Sequence, residues 1–182
     1  QVEIEASETR DGRFDAWIER DARRAENGFA DQSFFLGADF DPVMTLGTPA
    51  TTRRGVAVAN YNHVVQAPDA QSGRGRTRDG RLKPEIAAPG TNIVSCNALG
   101  GRPANPPGPV LPMRIKMSGT SMSAPHVSGI AALMLEKNPR LTAAQIAKIL
   151  IAAAEPPAGV VPFDIAWGFG KVNAEAAVGL VD

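Results

Sequence analysis

A strand candidate, a glycine and a helix follow one another between residues 114 and 135, and this order constrains the fold more than any other feature. Arg114–Met117 is the strand candidate, and Gly119 permits a sharp turn after it. Apolar residues then recur at the spacing of one helix face: Val127, Ile130, Ala131, Met134 and Leu135. This helix should begin near Ser121 and end at Asn138-Pro139.

Other segments predict further strands and helices around this unit. Val56–Ala59 is a run of small apolar residues, typical of a strand buried on both faces, and Ile93–Ser95 is another strand candidate. Thr142 and Gln145 have capping-box spacing and predict the start of a second helix. A short third helix should begin near Asn173. Strands separated by loops and followed by helices predict an α/β fold with at least part of a parallel sheet.

The first 40 residues have a different pattern. Alternation over Val2–Ala6, the turn signal Asp11-Gly12 and renewed alternation after it predict a β-hairpin over residues 1–20. The residue pattern changes at about residue 41, where short apolar runs bounded by glycine and proline begin. We therefore divide the chain into a hairpin, accessory or insertion segment over 1–40 and a main segment over 41–182.

Composition excludes several classes of function. The chain has 19 Lys plus Arg and 19 Asp plus Glu, so its net charge of zero argues against capture of nucleic acid or anionic membranes. No apolar run approaches the roughly 18 residues of a membrane-spanning helix. The single cysteine, Cys96, excludes an internal disulfide and is expected to be partly buried and inert. The basic stretch from Arg74 to Lys83 is interpreted as a solvated loop.

Ser121 has a position suited to nucleophilic chemistry. At the start of a helix, its hydroxyl lies beside backbone N–H groups that have no partner within the helix and beside the positive end of the helix dipole. Such N–H groups stabilise the oxyanion that forms when a hydroxyl attacks a carbonyl. A serine that only caps a helix is the alternative explanation of the same position.

Four motifs together resemble the subtilisin-like serine peptidases (subtilases, family S8). Residues 118–129, Ser-Gly-Thr-Ser-Met-Ser-Ala-Pro-His-Val-Ser-Gly, resemble the nucleophile motif of that family. Lys83–Gly90, Thr48–Ala50 and Trp167–Asn173 are similar to other family segments, and all four are collinear over about residues 44–178. Residues 1–40 have no such match.

Two serines and one loop depart from the family pattern. Ser123 and Ser128 stand where the family motif has alanines, and the nucleophile itself is unchanged. Residues 72–76 differ from the Ser-Ser-Arg-Gly-Pro segment that often precedes the Lys-Pro-Glu stretch, which affects the local loop and not Ser121.

The resemblance implies a fold and an activity. The fold is the C-terminal portion of a subtilisin-like, parallel-sheet, three-layer α/β domain. The activity is endopeptidase chemistry through an acyl-enzyme, with Ser121 as the nucleophile and its own N–H as one oxyanion donor. The family's catalytic Asp and His and its oxyanion Asn occur in strings that are absent from residues 1–182.

Neither histidine is predicted to replace the missing base. His126 lies five residues after Ser121, about 140° away around the helix axis, so it cannot take the serine proton. It is expected to be a packed, hydrogen-bonded helix histidine, and His63 a loop histidine. The chain alone is therefore expected to be inactive.

The expected partners follow from this incompleteness. They are a polypeptide substrate and the missing N-terminal part of the peptidase domain, and an isolated chain is expected to dimerise or swap elements to cover its sheet edge. The chemistry requires no cofactor. Relatives often use calcium for stability, but Asp39 and Asp41 do not form a dense carboxylate loop that supports such a site. The resemblance favours a secreted or cell-envelope location.

Two rival functions remain. A pseudo-peptidase or binding module would retain the fold without the catalytic triad. A serine esterase would need a Gly-x-Ser-x-Gly elbow, and Thr120 and Met122 around the serine do not fit it.

Overall fold

The computed structural model describes Ala16 and residues 23–24, 30–31, 41–98, 100–101, 110–159 and 162–182. The chain divides into two compact units, residues 1–40 and residues 41–182. In the first unit, the described strands β1 (Arg23–Arg24) and β2 (Ala30–Asp31) pair antiparallel. Apart from Ala16, the hairpin predicted over residues 1–20 lies outside the described residues, as does Asp39.

A three-stranded sheet lies at the centre of the second unit. Its strands are β3 (Val58–Asn62), β4 (Ala67–Pro68) and β5 (Ile86–Pro89), in the order β4-β3-β5. β3 and β5 are parallel, with Val58 opposite Ile86, whereas β3 and β4 form a short antiparallel pair. The predicted strand at Val56–Ala59 is therefore present but displaced toward its C-terminal end.

A second ribbon leads into the main helix. β6 (Ile93–Cys96) and β7 (Arg114–Met117) pair antiparallel and confirm the two strand predictions in this region. Cys96 is exposed on this ribbon, so the expectation that its side chain is partly buried is wrong. The ribbon leaves both faces of its strands accessible, which is why the thiol reaches solvent.

Three helices follow the ribbon: α1 (Thr120–Lys137), α2 (Ala143–Ala152) and α3 (Ala174–Gly179). They lie where the sequence predicts them. The capping box that starts α2 is confirmed, because Gln145 N–H donates to Thr142 Oγ1 at 3.3 Å and Thr142 N–H donates to Gln145 Oε1 at 2.9 Å. α3 begins after Asn173, whose Oδ1 accepts from Ala176 N–H at 2.9 Å.

The two faces of the sheet bury different layers. Ile86 and Ala88 of β5 pack against the helices, in a core that includes Val127, Ile130 and Met134 of α1. The alternate residue Ala87 faces the other way, together with Tyr61 and Trp167. This alternation is the period of two that a strand imposes on its side chains.

One ion pair in this unit corrects a sequence interpretation. The stretch from Arg74 to Lys83 was expected to be a solvated loop, but only 2% of Lys83 is exposed. Its Nζ lies 2.6 Å from Glu85 Oε1 and donates to the Gly55 carbonyl at 2.9 Å. Glu85 Oε2 also accepts the N–H of Ala57 at 2.7 Å. A buried ammonium requires such partners; Glu85 lies two residues away in the sequence and Gly55 lies 28 residues away.

Candidate active site

Ser121 lies at the N-terminal end of α1, close to the carboxyl end of β5. It is the second residue of the helix and is exposed. Gly119 is the N-cap residue of the helix and has a φ of 145°, a backbone conformation that residues with a Cβ atom rarely adopt. The Gly119 N–H donates to the carbonyl of Gly90 at 2.8 Å. This bond connects the turn that carries Ser121 to the end of a parallel strand, the edge where α/β folds place their functional groups.

The first turn of α1 presents N–H groups beside the serine. Met122 N–H donates to the Gly119 carbonyl at 2.9 Å, while helix geometry leaves the N–H groups of Thr120 and Ser121 without partners inside the helix. No acidic residue occupies this first turn, so the positive end of the helix dipole is not neutralised by the helix's own side chains. The site can therefore stabilise the negative charge that develops on a carbonyl oxygen when Ser121 attacks the carbonyl carbon.

Both histidines of the chain lie at exposed positions. His126 Nδ1 lies 2.9 Å from the Met122 carbonyl oxygen, which confirms the expected hydrogen bond, but the side chain is exposed, so the expectation that it is packed is wrong. His63 lies in the turn after β3, as predicted, and is exposed. Its carbonyl accepts from Gln66 Nε2 at 2.7 Å.

A cavity of about 300 Å³ opens next to the residue that precedes Ser121. Its wall includes Thr120 of α1, Ala57 and Val58 at the start of β3, Gly73, and residues 45–50. None of the described residues that line it carries a charged side chain. The cavity can accept an uncharged group beside the candidate nucleophile.

A buried polar cluster lies under the Ser121 turn, and the sequence analysis did not identify it. Asn60 is 1% exposed and Ser123 is fully buried. Thr91 Oγ1 lies 2.6 Å from Asp69 Oδ2 and 3.3 Å from Asn60 Oδ1. The Thr91 hydroxyl, followed by the N–H of Gln71, lowers the pKa of Asp69 against the opposing effect of burial. A polar residue at position 60, directly after the run of small apolar residues Val56–Ala59, was the available signal.

Among the described residues, no group of three or more His, Cys, Asp or Glu side chains is arranged to hold a metal ion. Asp41 uses its Oδ1 to accept the N–H of Val43 at 2.8 Å. No helix within the described part of the chain is both long enough and apolar enough to cross a membrane.

The fold and site together define a mixed α/β protein with an exposed serine at a helix N-terminus. The family model of the subtilases matches residues 37–174, and the chain belongs to this family of serine peptidases.

Curated relatives are similar over parts of their length. Serine protease AprX of Bacillus subtilis is 32% identical over 142 residues, which is 74% of this chain and 32% of AprX. Mycosin-2 of Mycobacterium tuberculosis is 45% identical over 96 residues, 51% of this chain and 17% of mycosin-2. The chain thus spans less than a third of either relative.

Solved structures agree with the fold. The CspB protease of Clostridium perfringens matches with a TM-score of 0.65 and 34% identity over 76% of this chain and 29% of that one. Fervidolysin from Fervidobacterium pennivorans matches with a TM-score of 0.57 and 30% identity over 72% of this chain and 20% of that one. The predicted subtilisin-like α/β fold and the predicted family are confirmed.

Proposed function

We propose that this chain supplies the nucleophile of a serine endopeptidase, and that Ser121 is that nucleophile. The observation that carries the proposal is the exposed serine at the N-terminus of α1, within the Gly-Thr-Ser-Met motif, in a chain of the subtilase family. A capping role explains the position less well, because α1 has Gly119 as its N-cap and no side-chain cap.

The reaction is acyl transfer from a peptide bond to water. The Ser121 oxygen forms an ester bond with the carbonyl carbon as the peptide C–N bond breaks, and its proton passes through a base to the leaving amine. Water then hydrolyses the ester and restores the hydroxyl. The Ser121 N–H donates to the oxyanion in both steps.

The base, its orienting carboxylate and the oxyanion asparagine come from polypeptide other than these 182 residues. The family's Asp-(Ser/Thr)-Gly, His-Gly-Thr and Gly-Asn strings do not occur in the sequence. His126 projects away from Ser121 around the helix. The chain also covers only 29% of the CspB protease structure. The N-terminal part of a subtilase domain is the partner that supplies these groups, so the 182-residue chain alone is inactive.

The exposed face of α1 is the surface that we expect this partner to cover. The buried stripe of the helix includes Val127, Ile130 and Met134. The opposite face is exposed and combines small side chains with Leu133 and Glu136; the small ones are Pro125, Ser128, Gly129 and Ala132. Leu133 is 50% exposed. Small side chains permit close approach of another element, so this face is suited to pack against the rest of the domain.

The substrate is a polypeptide, and the cavity beside Thr120 indicates which kind of substrate side chain binds there. The cavity has a volume of about 300 Å³ and its lining, over the part of the chain that the structure describes, is uncharged, which suits an uncharged side chain of moderate size. Peptide substrates that differ at one position test this preference, with the kcat/KM of Leu-containing and Glu-containing peptides as the readout.

The test of the function is substitution of Ser121 in the full-length protein. Ser121→Ala should lower kcat by about a millionfold, the effect known for loss of the serine in subtilisin. Ser95→Ala, at an exposed serine of β6, is the matched control and should retain activity. Peptidase activity that survives Ser121→Ala contradicts the proposal.

A pseudo-peptidase is the second candidate. It is favoured by His126, because its Nδ1 lies 2.9 Å from the Met122 carbonyl oxygen and neither histidine of the chain is placed as a base. This candidate predicts that the full-length protein binds polypeptides but does not cleave them. The full-length wild-type protein distinguishes the two functions in one hydrolysis assay.

We also propose a location outside the cytoplasm. One matching solved structure, of MycP1, is described as coming from the ESX-1 type VII secretion system, with a TM-score of 0.50 and 30% identity over 68% of this chain and 30% of that one. Fractionation of the source cells tests the location, and recovery of the protein in the cytoplasmic fraction alone contradicts it.

A further inference from the structure

The side chain of Arg81 belongs to the basic stretch of residues 74–83, to which the proposed function assigns no role. All three nitrogens of its guanidinium group donate hydrogen bonds. Nε donates to the two carboxylate oxygens of Asp79, at 2.9 and 2.8 Å. Nη2 donates to the Thr51 carbonyl at 2.8 Å, and Nη1 donates to the Thr52 carbonyl at 3.2 Å. The side chain is 30% exposed, so it is a fixed part of the structure and not a solvated arginine.

The two carbonyls that Arg81 binds lie at the end of the loop that forms one wall of the cavity. Residues 45–50 line the cavity, and Thr51 and Thr52 follow them directly. The Thr52 N–H donates to the Pro49 carbonyl at 2.9 Å, so residues 49–52 form a turn. Charge-assisted hydrogen bonds from one planar group therefore fix this turn and the cavity wall that leads into it.

The other end of this loop is held by backbone hydrogen bonds. The Thr45 N–H donates to the Arg74 carbonyl at 2.8 Å, and the Arg74 N–H donates to Thr45 Oγ1 at 2.8 Å. Between the two ends, the structure shows no hydrogen bond to residues 46–48 from any residue that it describes. The shape of the wall therefore depends on how its two ends are held.

A tight turn directs the Arg81 side chain at the loop. The Thr77 N–H donates to the Arg81 carbonyl at 3.2 Å, and the Arg81 N–H donates to Thr77 Oγ1 at 3.0 Å. Thr77 is 4% exposed, and its hydroxyl donates to Asp79 Oδ1 at 2.6 Å. Asp79 is thereby held against Nε of the guanidinium. Because the group is planar and rigid, this contact orients both Nη atoms toward the two carbonyls.

We propose that Arg81 is a positioning residue that determines substrate specificity, because it holds the wall of the cavity in the shape that selects a substrate side chain. The inference rests on the proposed function, in which this cavity binds a side chain of the polypeptide. Discrimination in an uncharged pocket depends on close fit, and one methylene group changes kcat/KM by about 10- to 200-fold. A wall released at one end should therefore lose part of its preference for a large side chain.

The kinetic test compares two peptides in the full-length protein. They differ only at the residue whose carbonyl is attacked, because the cavity adjoins the residue before Ser121; one has Leu there and the other has Gly. Arg81→Ala should lower the Leu-to-Gly ratio of kcat/KM about tenfold and leave the kcat/KM of the Gly peptide within about twofold. A smaller folded fraction would lower both values equally, so the ratio reports the cavity and not the stability.

Two further variants complete the kinetic test. Arg81→Lys keeps the charge but has one nitrogen in place of three, so it should lower the ratio in the same direction. Arg53→Met is the matched control, since Arg53 also contacts Asp79, at 3.4 Å, but its side chain is 79% exposed. This control should retain the wild-type ratio. A wild-type ratio for Arg81→Ala overturns the proposal, and Arg81→Lys decides in the same way if the alanine variant does not fold.

Hydrogen exchange tests the role of Arg81 in the loop without reference to catalysis. In full-length Arg81→Ala, the Thr52 amide should exchange about tenfold faster than in the wild type, whereas the Thr45 amide should stay within about twofold. An unchanged Thr52 rate overturns the proposal. If the Thr52 amide exchanges faster but the wild-type protein does not hydrolyse peptides, the proposed function fails and the role of Arg81 in the loop stands. If the wild-type protein hydrolyses peptides but the Leu-to-Gly ratio does not respond to Arg81, the proposed function stands and the inference on specificity fails.

Discussion

The buried ion pair Lys83–Glu85 provides a direct test of how charged groups are buried in the second unit. The Lys83 side chain is 3% exposed and that of Glu85 is 17% exposed, and the two charged groups are 2.6 Å apart. Glu85→Gln removes the negative charge but keeps the size of the side chain. The amide can accept from Ala57 N–H or from Lys83 Nζ with its one oxygen, so one of these donors loses its partner.

The expected cost is that of a buried cation left without its counter-charge, about 3–5 kcal/mol of the free energy of unfolding. For a protein of this size this corresponds to a fall in Tm on the order of 10 °C. Urea and thermal unfolding measure it. The double variant Lys83→Met, Glu85→Gln removes both charges and should recover more than half of the loss.

The matched control is a surface pair with the same chemistry. Arg53 and Asp79 are 3.4 Å apart with side chains 79% and 44% exposed, so Arg53→Met should leave the unfolding midpoint unchanged. A loss below about 1 kcal/mol for Glu85→Gln refutes the reasoning, because a buried charge cannot lose its partner so cheaply. A double variant that is as unstable as the sum of its single variants also refutes it.

Three further predictions concern the surface and the helices. Hydrogen bonds from Arg81 and, to a lesser extent, Thr77 lower the pKa of the Asp79 carboxyl to about 2. The stabilisation that this carboxylate provides should therefore be complete above pH 4 and lost as the pH falls through about 2. A carboxyl NMR titration with a midpoint near 4 contradicts this prediction. Thr142→Ala should reduce the free energy of unfolding by about 1 kcal/mol through loss of the capping box, and an unchanged value in urea unfolding counts against the assigned cap. The isolated chain should self-associate through the exposed face of α1, and Leu133→Glu should restore a monomer in sedimentation velocity; a wild-type chain that is monomeric at high concentration disproves the association.

Local patterns were enough to predict the helices. The start of α2 depends on Thr142 and Gln145, three residues apart, and that of α3 depends on Asn173 and the next turn. These interactions are contained within a few residues, so the sequence displays them directly. The same holds for Ser121, whose place at a helix N-terminus follows from Gly119 and the periodic residues after it.

Features that depend on distant residues could not be predicted from the sequence. β3 begins at Val58 because its parallel register with β5 sets the pairing, and the two-residue strand β4 carries no periodic signal. Burial of Lys83 depends on Glu85 together with a carbonyl 28 residues away. The cluster of Asn60, Thr91 and Ser123 joins three segments about 30 residues apart, so only the fold brings it together.

Covalent labelling of the active serine tests the central claim most directly. A fluorophosphonate reacts only with a serine that an active site has made nucleophilic, and mass spectrometry of the peptides identifies the modified residue. The account predicts a label on Ser121 in the native full-length protein and none on the isolated 182-residue chain or on heat-denatured protein. A native full-length protein that stays unlabelled, or that carries the label on another serine, contradicts the assignment of Ser121 as the nucleophile.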